Sequence, residues 1–343
     1  MSALLRVEGL VVEFRVGGWR SPPLRAVDDV SFEIGPGETV GLVGESGSGK
    51  STIGRAVLGL QRAAAGRIIF DGDDITDRTA SQRRELAKAI SAVFQDPYSS
   101  LNPAISVGRS ILEPLLVQRK LDDAAGQLKA GELLEAVRLP KDVSKRLPHS
   151  FSGGQRQRIA IARSLSTEPR LLVCDEAVSA LDVITRAQVL NLLEDLQSRT
   201  NVALLFIAHD IPIVGHHARR IVVLYRGRIM EQGLTEDVIN RPLHPYTRAL
   251  LAAVPLLDPE QQSARRESRA ASVSVSTANA APPPAEGCVF APRCPYAADV
   301  CQTKRPLDLS VSGRTVQCHL FDPDSGHPQA DAELSALDRA ASS

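Results

Sequence analysis

The sequence predicts an α/β fold built on a largely parallel central sheet. Three observations predict it. Short apolar, β-branched segments recur along most of the chain, helical patterns fall between them, and a glycine-rich loop joins one such strand to one such helix. A chain of 343 residues is long for one compact domain, so a large domain with an appendage is expected. Hydrophobic residues make up 43%, enough for a sizeable core. Lys+Arg and Asp+Glu both number 40, so no net charge draws the chain to nucleic acid or an anionic membrane, and no nucleic-acid partner is expected.

The strand-like segments are "LLRVEGLVVEF", "VSFEI", "TVGLVG", "RIIF", "RLLVCDE", "VALLFIAHD" and "RIVVLYRGRI". Helical patterns cover Lys50–Leu60, Ala125–Val137, Gln155–Ser166 and Thr185–Arg199. The first strands have no helix between them, which predicts an antiparallel layer at the start. Residues 96–167 are mostly helical and read as a subdomain inserted into the α/β core. Together, residues 1–257 read as one domain. Residues 258–287 are rich in Ala, Ser, Pro and Arg, and read as a flexible linker. A cysteine-rich module is expected at 288–320 and a disordered tail at 321–343. The N-terminal "MSALLRVEGL" lacks the basic and apolar regions of a signal peptide. No apolar run approaches the roughly 18 residues of a membrane span, so the chain is expected in the cytosol, where thiols stay reduced.

"GLVGESGSGKST" carries the spacing G-x-x-x-x-G-K-[ST] at Gly44, Gly49, Lys50 and Ser51. It follows the apolar strand Thr39–Val43 and opens a helix, which is the context this motif requires. A glycine-rich backbone lets the N–H groups of Gly44, Glu45, Ser46, Gly47, Ser48 and Gly49 converge on phosphate oxygens. The helix start, with Thr52 in its first turn, adds partial positive charge. Lys50 is expected to reach the β- and γ-phosphates and Ser51 to ligate Mg²⁺, so ATP and Mg²⁺ are the expected ligands.

"RLLVCDE" is a buried strand ending in two carboxylates. Asp175 at a strand's C-terminal end suits Mg²⁺, and Glu176 can deprotonate an attacking water. Cys174 reads as a small buried apolar residue. A further strand ends at His209, placed to hold the water or sense the γ-phosphate. Gln95 follows "ISAVF" and offers an amide to Mg²⁺ or to the water. His149, His216, His217 and His327 read as structural or merely exposed.

Cys288, Cys294, Cys301 and Cys318 gather four soft ligands in a module too small to bury much core, so a metal centre is expected to stabilise it. The spacings C-x5-C, C-x6-C and C-x16-C lack the C-x2-C pairs of zinc ribbons, and four cysteinates also suit a [4Fe–4S] cluster. Free buried thiols are the alternative.

"FSGGQRQRIAIARSL" (Phe151–Leu165) closely resembles the signature motif of ABC-type ATPases. Ser152, Gly153, Gly154 and Gln155 at a helix start make a second anion cradle. The order of motifs also resembles that family: phosphate loop, Gln95, signature, Asp175-Glu176, "SALD" ending at Asp182, then His209. The resemblance covers residues 1–257. It implies a RecA-like core with an antiparallel β subdomain and an inserted helical subdomain. It also implies head-to-tail dimers in which Ser152–Gln155 closes over the nucleotide of the other subunit, with Asp182 beside it. Adenine stacking falls to Phe14, with Trp19 as the alternative. Ala177 stands where the family usually has proline after the glutamate, which loosens that turn without removing chemistry.

"FQDPYSSLNP" and "HPYTRALLAAVP" resemble the dipeptide/oligopeptide importer subfamily, which includes nickel and glutathione importers. The details are most similar to the F-type subunit of its ATPase pair. This implies ATP hydrolysis driving peptide import, as a heterodimer with a second ATPase. Two permeases and an extracytoplasmic solute-binding protein complete the system, and the chain is peripheral on the cytoplasmic membrane face. The subfamily carries a similar cysteine tail, reported in some members as an iron–sulfur site, which favours [4Fe–4S] over Zn²⁺ here, with His319 a neighbour. Nickel, glutathione or another small solute is the alternative cargo. A non-transport ABC ATPase or an ATP-binding redox or metal sensor is the alternative class.

Overall fold

The computed structural model describes residues 2–15, 23–96, 100–117, 123–254 and 282–341. Contacts divide the chain into two units, Met1–Gly41 with Lys50–His209 and Leu42–Gly49 with Asp210–Ser343. The contacts thus group residues 42–49 and 210–254 with the C-terminal module, a different division from the domain expected to end at residue 257.

In the first unit, β1 (Leu5–Phe14) and β2 (Leu24–Ile34) pair antiparallel, with Leu5 opposite Ile34 and Phe14 opposite Leu24. The chain then enters β3 (Thr39–Val43), whose last two residues belong to the second unit. After the loop, α1 (Lys50–Val57) leads to β4 (Ala65–Phe70) and β5 (Asp73–Asp74). These complete a four-stranded antiparallel sheet in the order β2-β1-β4-β5, the layer expected at the start of the chain.

The helix α2 (Ala80–Leu86) begins at a capping box, Thr79 with Gln82, and precedes β6 (Ile90–Val93). Three helices follow: α3 (Val107–Val117), α4 (Asp123–Ala136) and α5 (Gly153–Leu165), with 3-10 turns at Lys141–Lys145 and Pro148–Ser150. Leu112, Leu115 and Ala130 bury one another where α3 meets α4. The chain returns through β7 (Leu171–Asp175), α6 (Val183–Thr200) and β8 (Ala203–Ala208). Strands β6, β7 and β8 are parallel, with Val93 opposite Cys174 and Cys174 opposite Phe206. Every residue of β7 and β8 is buried, as in parallel strands covered on both faces. Gly54 of α1 lies against Ile207 and Val173, so the helix that starts at Lys50 packs on these two strands.

In the second unit, α7 (Ile211–His217) precedes β9 (Arg220–Tyr225) and β10 (Arg228–Leu234). "RIVVLYRGRI" reads as one apolar segment, yet it folds as an antiparallel hairpin. Arg226 and Gly227 both take positive φ, 46° and 81°, the geometry of the tight turns that match strand twist. Next come α8 (Thr235–Asn240) and α9 (Pro245–Ala253). The module's β11 (Leu309–Val311) and β12 (Arg314–Val316) add to this hairpin, with Val316 opposite Glu231 on β10.

The tail departs from expectation. Residues 321–343 read as disordered, but the chain forms a helix over Ala330–Ala341. Leu334 packs against the cluster of Leu243, Val316, Cys318, Leu320 and Phe321, and Glu333 pairs with Arg248 at 3.3 Å. This docking gives the short helix the tertiary support that its sequence alone does not. Most of the expected linker lies outside the described residues.

Candidate nucleotide site

The phosphate loop is built around backbone that only glycine tolerates. Gly44 has φ 154°, and a Cβ there would lie 2.1 Å from the carbonyl oxygen of Leu224 and 2.8 Å from Ser48 Oγ. Gly47 and Gly49 also take positive φ, at 77° and 102°. The Ser48 N–H donates to Glu45 O at 3.1 Å, and Gly227 N–H donates to Ser48 O at 2.9 Å. Ser48 is buried, whereas Ser46 and Gly47 are exposed at the loop's crown. Glu45 is held from two directions: its N–H donates to the Tyr246 hydroxyl at 3.0 Å, and its carboxylate pairs with Arg293 at 2.9 Å.

At the loop's end, Lys50 and Ser51 enter α1, and Thr52 is half-buried in its first turn. Within the first unit, Ser51 Oγ donates to Asp175 Oδ1 at 2.7 Å. Both side chains offer hard oxygen donors, and Lys50 and Asp175 are buried. One hydroxyl and one carboxylate in contact suit Mg²⁺ with several retained waters. A glycine-rich loop with three positive-φ glycines, one of which, Gly44, has no room for a Cβ, followed by lysine at a helix start, suits a polyphosphate.

Glu176 continues from β7 with φ 49°, a left-handed conformation rare for a non-glycine residue. Its backbone is fixed by its own N–H to Ile207 O at 3.0 Å and by Ser179, whose N–H and hydroxyl both donate to Glu176 O. Such strain at a carboxylate marks a constrained position. His209 Nδ1 stands 3.9 Å from Glu176 Oε1, so the structure brings these two expected residues together. Ala177 is buried and the Glu176–Ser179 turn is closed without proline. Gln95 is exposed just after β6. Phe14 ends β1 with 36% of its surface exposed. Trp19 lies outside the described residues.

The signature segment is a helix start with a full capping box. Ser152 N–H donates to Gln155 Oε1 at 3.0 Å, and Gln155 N–H donates to Ser152 Oγ at 3.4 Å. Ser152 and Gln155 are exposed, while Gly154 packs so closely that a Cβ would fall 2.2 Å from Thr185 Cγ2. The arginines of α5 serve the protein itself: Arg156 donates to Phe151 O, Arg158 to Gln188 and Arg163 to Ser100 O. Asp182 caps α6 by accepting from Thr185 N–H at 3.0 Å. That bond holds its carboxyl below the usual range.

The sequence of the family described as ABC transporter matches residues 27–179, and that described as oligopeptide/dipeptide transporter, C-terminal region, matches residues 230–301. A Brucella ovis protein named for peptide import and ATP binding is 48% identical over 303 residues, covering 88% of this chain and 93% of that one. The chain belongs to the ABC transporter ATP-binding subunits that carry the oligopeptide/dipeptide C-terminal region. This ABC subunit is also 42% identical over 340 residues to a Sinorhizobium fredii protein named as the ATP-binding protein of a peptide ABC transporter, covering 98% of this chain and 95% of that one. The dimeric post-hydrolysis state of the ATP-binding cassette MJ0796, bound to ADP and Pi, matches with TM-score 0.61 and 25% identity over 67% of this chain and 98% of that one. The structure of cbiO1 from Clostridium perfringens, part of the ABC transporter complex cbiONQ, matches with TM-score 0.64 and 26% identity over 78% and 100%. As a member of this family the subunit is an ATPase with the ABC nucleotide-binding fold, and no described helix is long and apolar enough to cross a membrane.

The four C-terminal cysteines are free thiols, buried except for half-buried Cys294. Burial pushes the Cys294 thiol up to about 12, and the nearby charges of Cys288 and Cys301 add to this. Among the described residues no group of three or more His, Cys, Asp or Glu is placed to hold a metal ion. The expectation of a [4Fe–4S] cluster, with Zn²⁺ as its alternative, therefore finds no support among the described residues. His319 is occupied elsewhere, with Nε2 at 2.9 Å from Lys304 O. Sequence reasoning missed Arg293, Tyr246 and Tyr225 around Glu45. "HPY" and "RCP" stand out as patterns, but nothing local to them points to a residue more than 200 positions earlier.

Proposed function

We propose that this ATPase powers the import of dipeptides and oligopeptides through a membrane transporter. Relatives named for peptide import and for a peptide ABC transporter, aligned over 88% and 98% of the chain, support the substrate class. The Ser51–Asp175 contact at 2.7 Å, at the foot of the glycine loop, is the observation that carries the chemistry. Mg²⁺, when bound, would supply positive charge to the phosphates. Ser51 and Asp175 would hold it, and Gln95 would reach it or the attacking water. The Gly44–Gly49 backbone and Lys50 bind the phosphates, with Thr52 in the first helical turn and Phe14 stacked on adenine. Glu176 accepts the proton of the attacking water, and His209 orients Glu176 and the water.

The partner is a second, different ATPase subunit, with this chain as the F-type member. Ser152–Gln155 and Asp182 face the partner's nucleotide, and the exposure of Ser152, Gln155 and Asp182 at helix starts supports this role. Two permease subunits receive the motion through the Gln95–Pro103 region, an extracytoplasmic protein delivers the peptide, and the ATPase is peripheral on the cytoplasmic face. The test is uptake of a labelled dipeptide into proteoliposomes holding the cognate permeases, both ATPases and internal ATP. Uptake should need ATP and vanish with Lys50→Ala. Peptide uptake indifferent to that change would end the proposal.

A further inference from the structure

An arginine of the cysteine module, Arg293, reaches the phosphate loop. Arg293 lies in a 3-10 turn, Ala291–Arg293, between Cys288 and Cys294. Its guanidinium meets the Glu45 carboxylate as a fork: Nη1 to Oε2 at 2.9 Å and Nη2 to Oε1 at 2.9 Å. Nη1 also donates to the Tyr225 hydroxyl at 3.3 Å, and the guanidinium lies over the rings of Tyr225 and Phe290 at 5.5 Å and 5.8 Å. The Arg293 side chain is only 10% exposed, against 39% for Glu45. Tyr246, whose ring packs at a tilt against Tyr225 and Phe290, takes the Glu45 N–H on its hydroxyl. Arg293 and Tyr246 thus fix both the side chain and the backbone of the residue that follows Gly44.

Inside the loop the Ser48 N–H bonds Glu45 O at 3.1 Å, and the Arg293 fork adds a side-chain restraint to the same residue. Three glycines at positive φ leave the free chain many alternative conformations. A ligand that binds only one of them sees its apparent affinity reduced by that conformer's population. A bidentate arginine–carboxylate pair restricts both orientation and distance, and a lysine does not reproduce it.

We propose that Arg293 is a positioning residue for ATP binding: the C-terminal module braces the phosphate loop through Glu45 and so sets the fraction of loop ready for the triphosphate. This rests on the reading of Gly44–Ser51 as the ATP site. It gives the module a task in the ATPase that needs no metal.

The test measures the dissociation constant of Mg·ATP on the full chain by calorimetry, and KM and kcat with the partner ATPase present. Arg293→Ala should raise the dissociation constant and KM about tenfold, through a lower population of the ready loop, with kcat at saturating ATP little changed. Glu45→Gln should do the same, Arg293→Lys should fall between, and the double variant should be no worse than either single one. Unchanged ATP affinity in Glu45→Gln, which leaves the module intact, overturns the proposal even if Arg293→Ala fails to fold. Independent, multiplying effects of the two changes, or a drop in melting temperature without a change in KM, overturn it as well. Failure of the wild-type chain to bind ATP would instead remove the site on which the proposal stands.

Discussion

The imidazole Nδ1 of His244 accepts the backbone N–H of Tyr246 at 2.9 Å, capping α9 inside the protein. The ring is wholly buried, and burial, helped by the charge of Arg248, pulls its pKa from 6.5 down to about 3. An accepting Nδ1 must also be unprotonated. The folded chain therefore keeps His244 neutral, while the unfolded chain takes up a proton below about pH 6.5. Its contribution to stability is complete above 6.5 and falls as the pH drops toward 3, by about 1.4 kcal/mol for each unit. Urea unfolding at a series of pH values should display this slope. His244→Asn keeps an acceptor for the Tyr246 N–H but cannot titrate, so it should flatten the curve between pH 6.5 and 4. An equal slope in both proteins would remove His244 as its source.

Glu176 is fixed in a left-handed conformation with His209 beside it, a placement that suits a base aimed at water. Glu176→Gln keeps the size and the backbone bonds but cannot take a proton. Turnover with the partner ATPase should drop by about 10²- to 10⁴-fold, the usual worth of a general base. ATP binding should survive, and ATP-loaded dimers should persist long enough to see by size-exclusion chromatography. Turnover close to wild type would take the base role from Glu176.

How far the sequence reaches depends on the range of each interaction. The run from Thr39 through the loop into α1 is local, so glycine spacing, Lys50 and the apolar strand announce it together. Ser51 and Asp175 are far apart in sequence, yet each sits at the end of a recognisable element, and parallel strands bring such ends to one edge. The α3 helix has no clean pattern to read because Gly108, Ser110 and Pro114 interrupt its apolar residues. The helix at Ala330–Ala341 is weak alone and exists through Leu334 and Glu333, partners that composition does not show. The Glu45–Arg293 pair spans 248 positions and has no local mark at either end.

Arg314 joins β12 to the turn before α9. Its Nη1 lies 3.4 Å from Glu231 Oε1 and donates to Asp237 O at 3.0 Å and to Arg241 O. Glu231 in turn accepts the N–H groups of Leu243 and His244 at 2.9 Å each. The side chains of Arg314 and Glu231 are 3% and 0% exposed. Removing one partner of such a pair leaves a buried charge uncompensated, so Arg314→Ala should cost about 3–5 kcal/mol in chemical unfolding. Arg314→Met with Glu231→Gln should lose less than the sum of the two single changes. Simple additivity would mean the two side chains do not act as a pair.

Two loop glycines separate steric from conformational constraint. At Gly44 an added methyl would meet the Leu224 carbonyl oxygen, which is backbone and cannot swing away, whereas nothing lies within 4 Å of the same position at Gly47. Both have positive φ, so alanine at either site carries backbone strain of about 1–3 kcal/mol. Gly44→Ala adds overpacking against β9, worth about a further 1–3 kcal/mol. Without nucleotide, Gly44→Ala should therefore lower the melting temperature clearly more than Gly47→Ala. Gly47 sits on the exposed crown where phosphate is expected, so Gly47→Ala should weaken ATP binding out of proportion to its small effect on melting. If both variants melted alike, the close approach of Gly44 to Leu224 could not be what fixes the start of the loop.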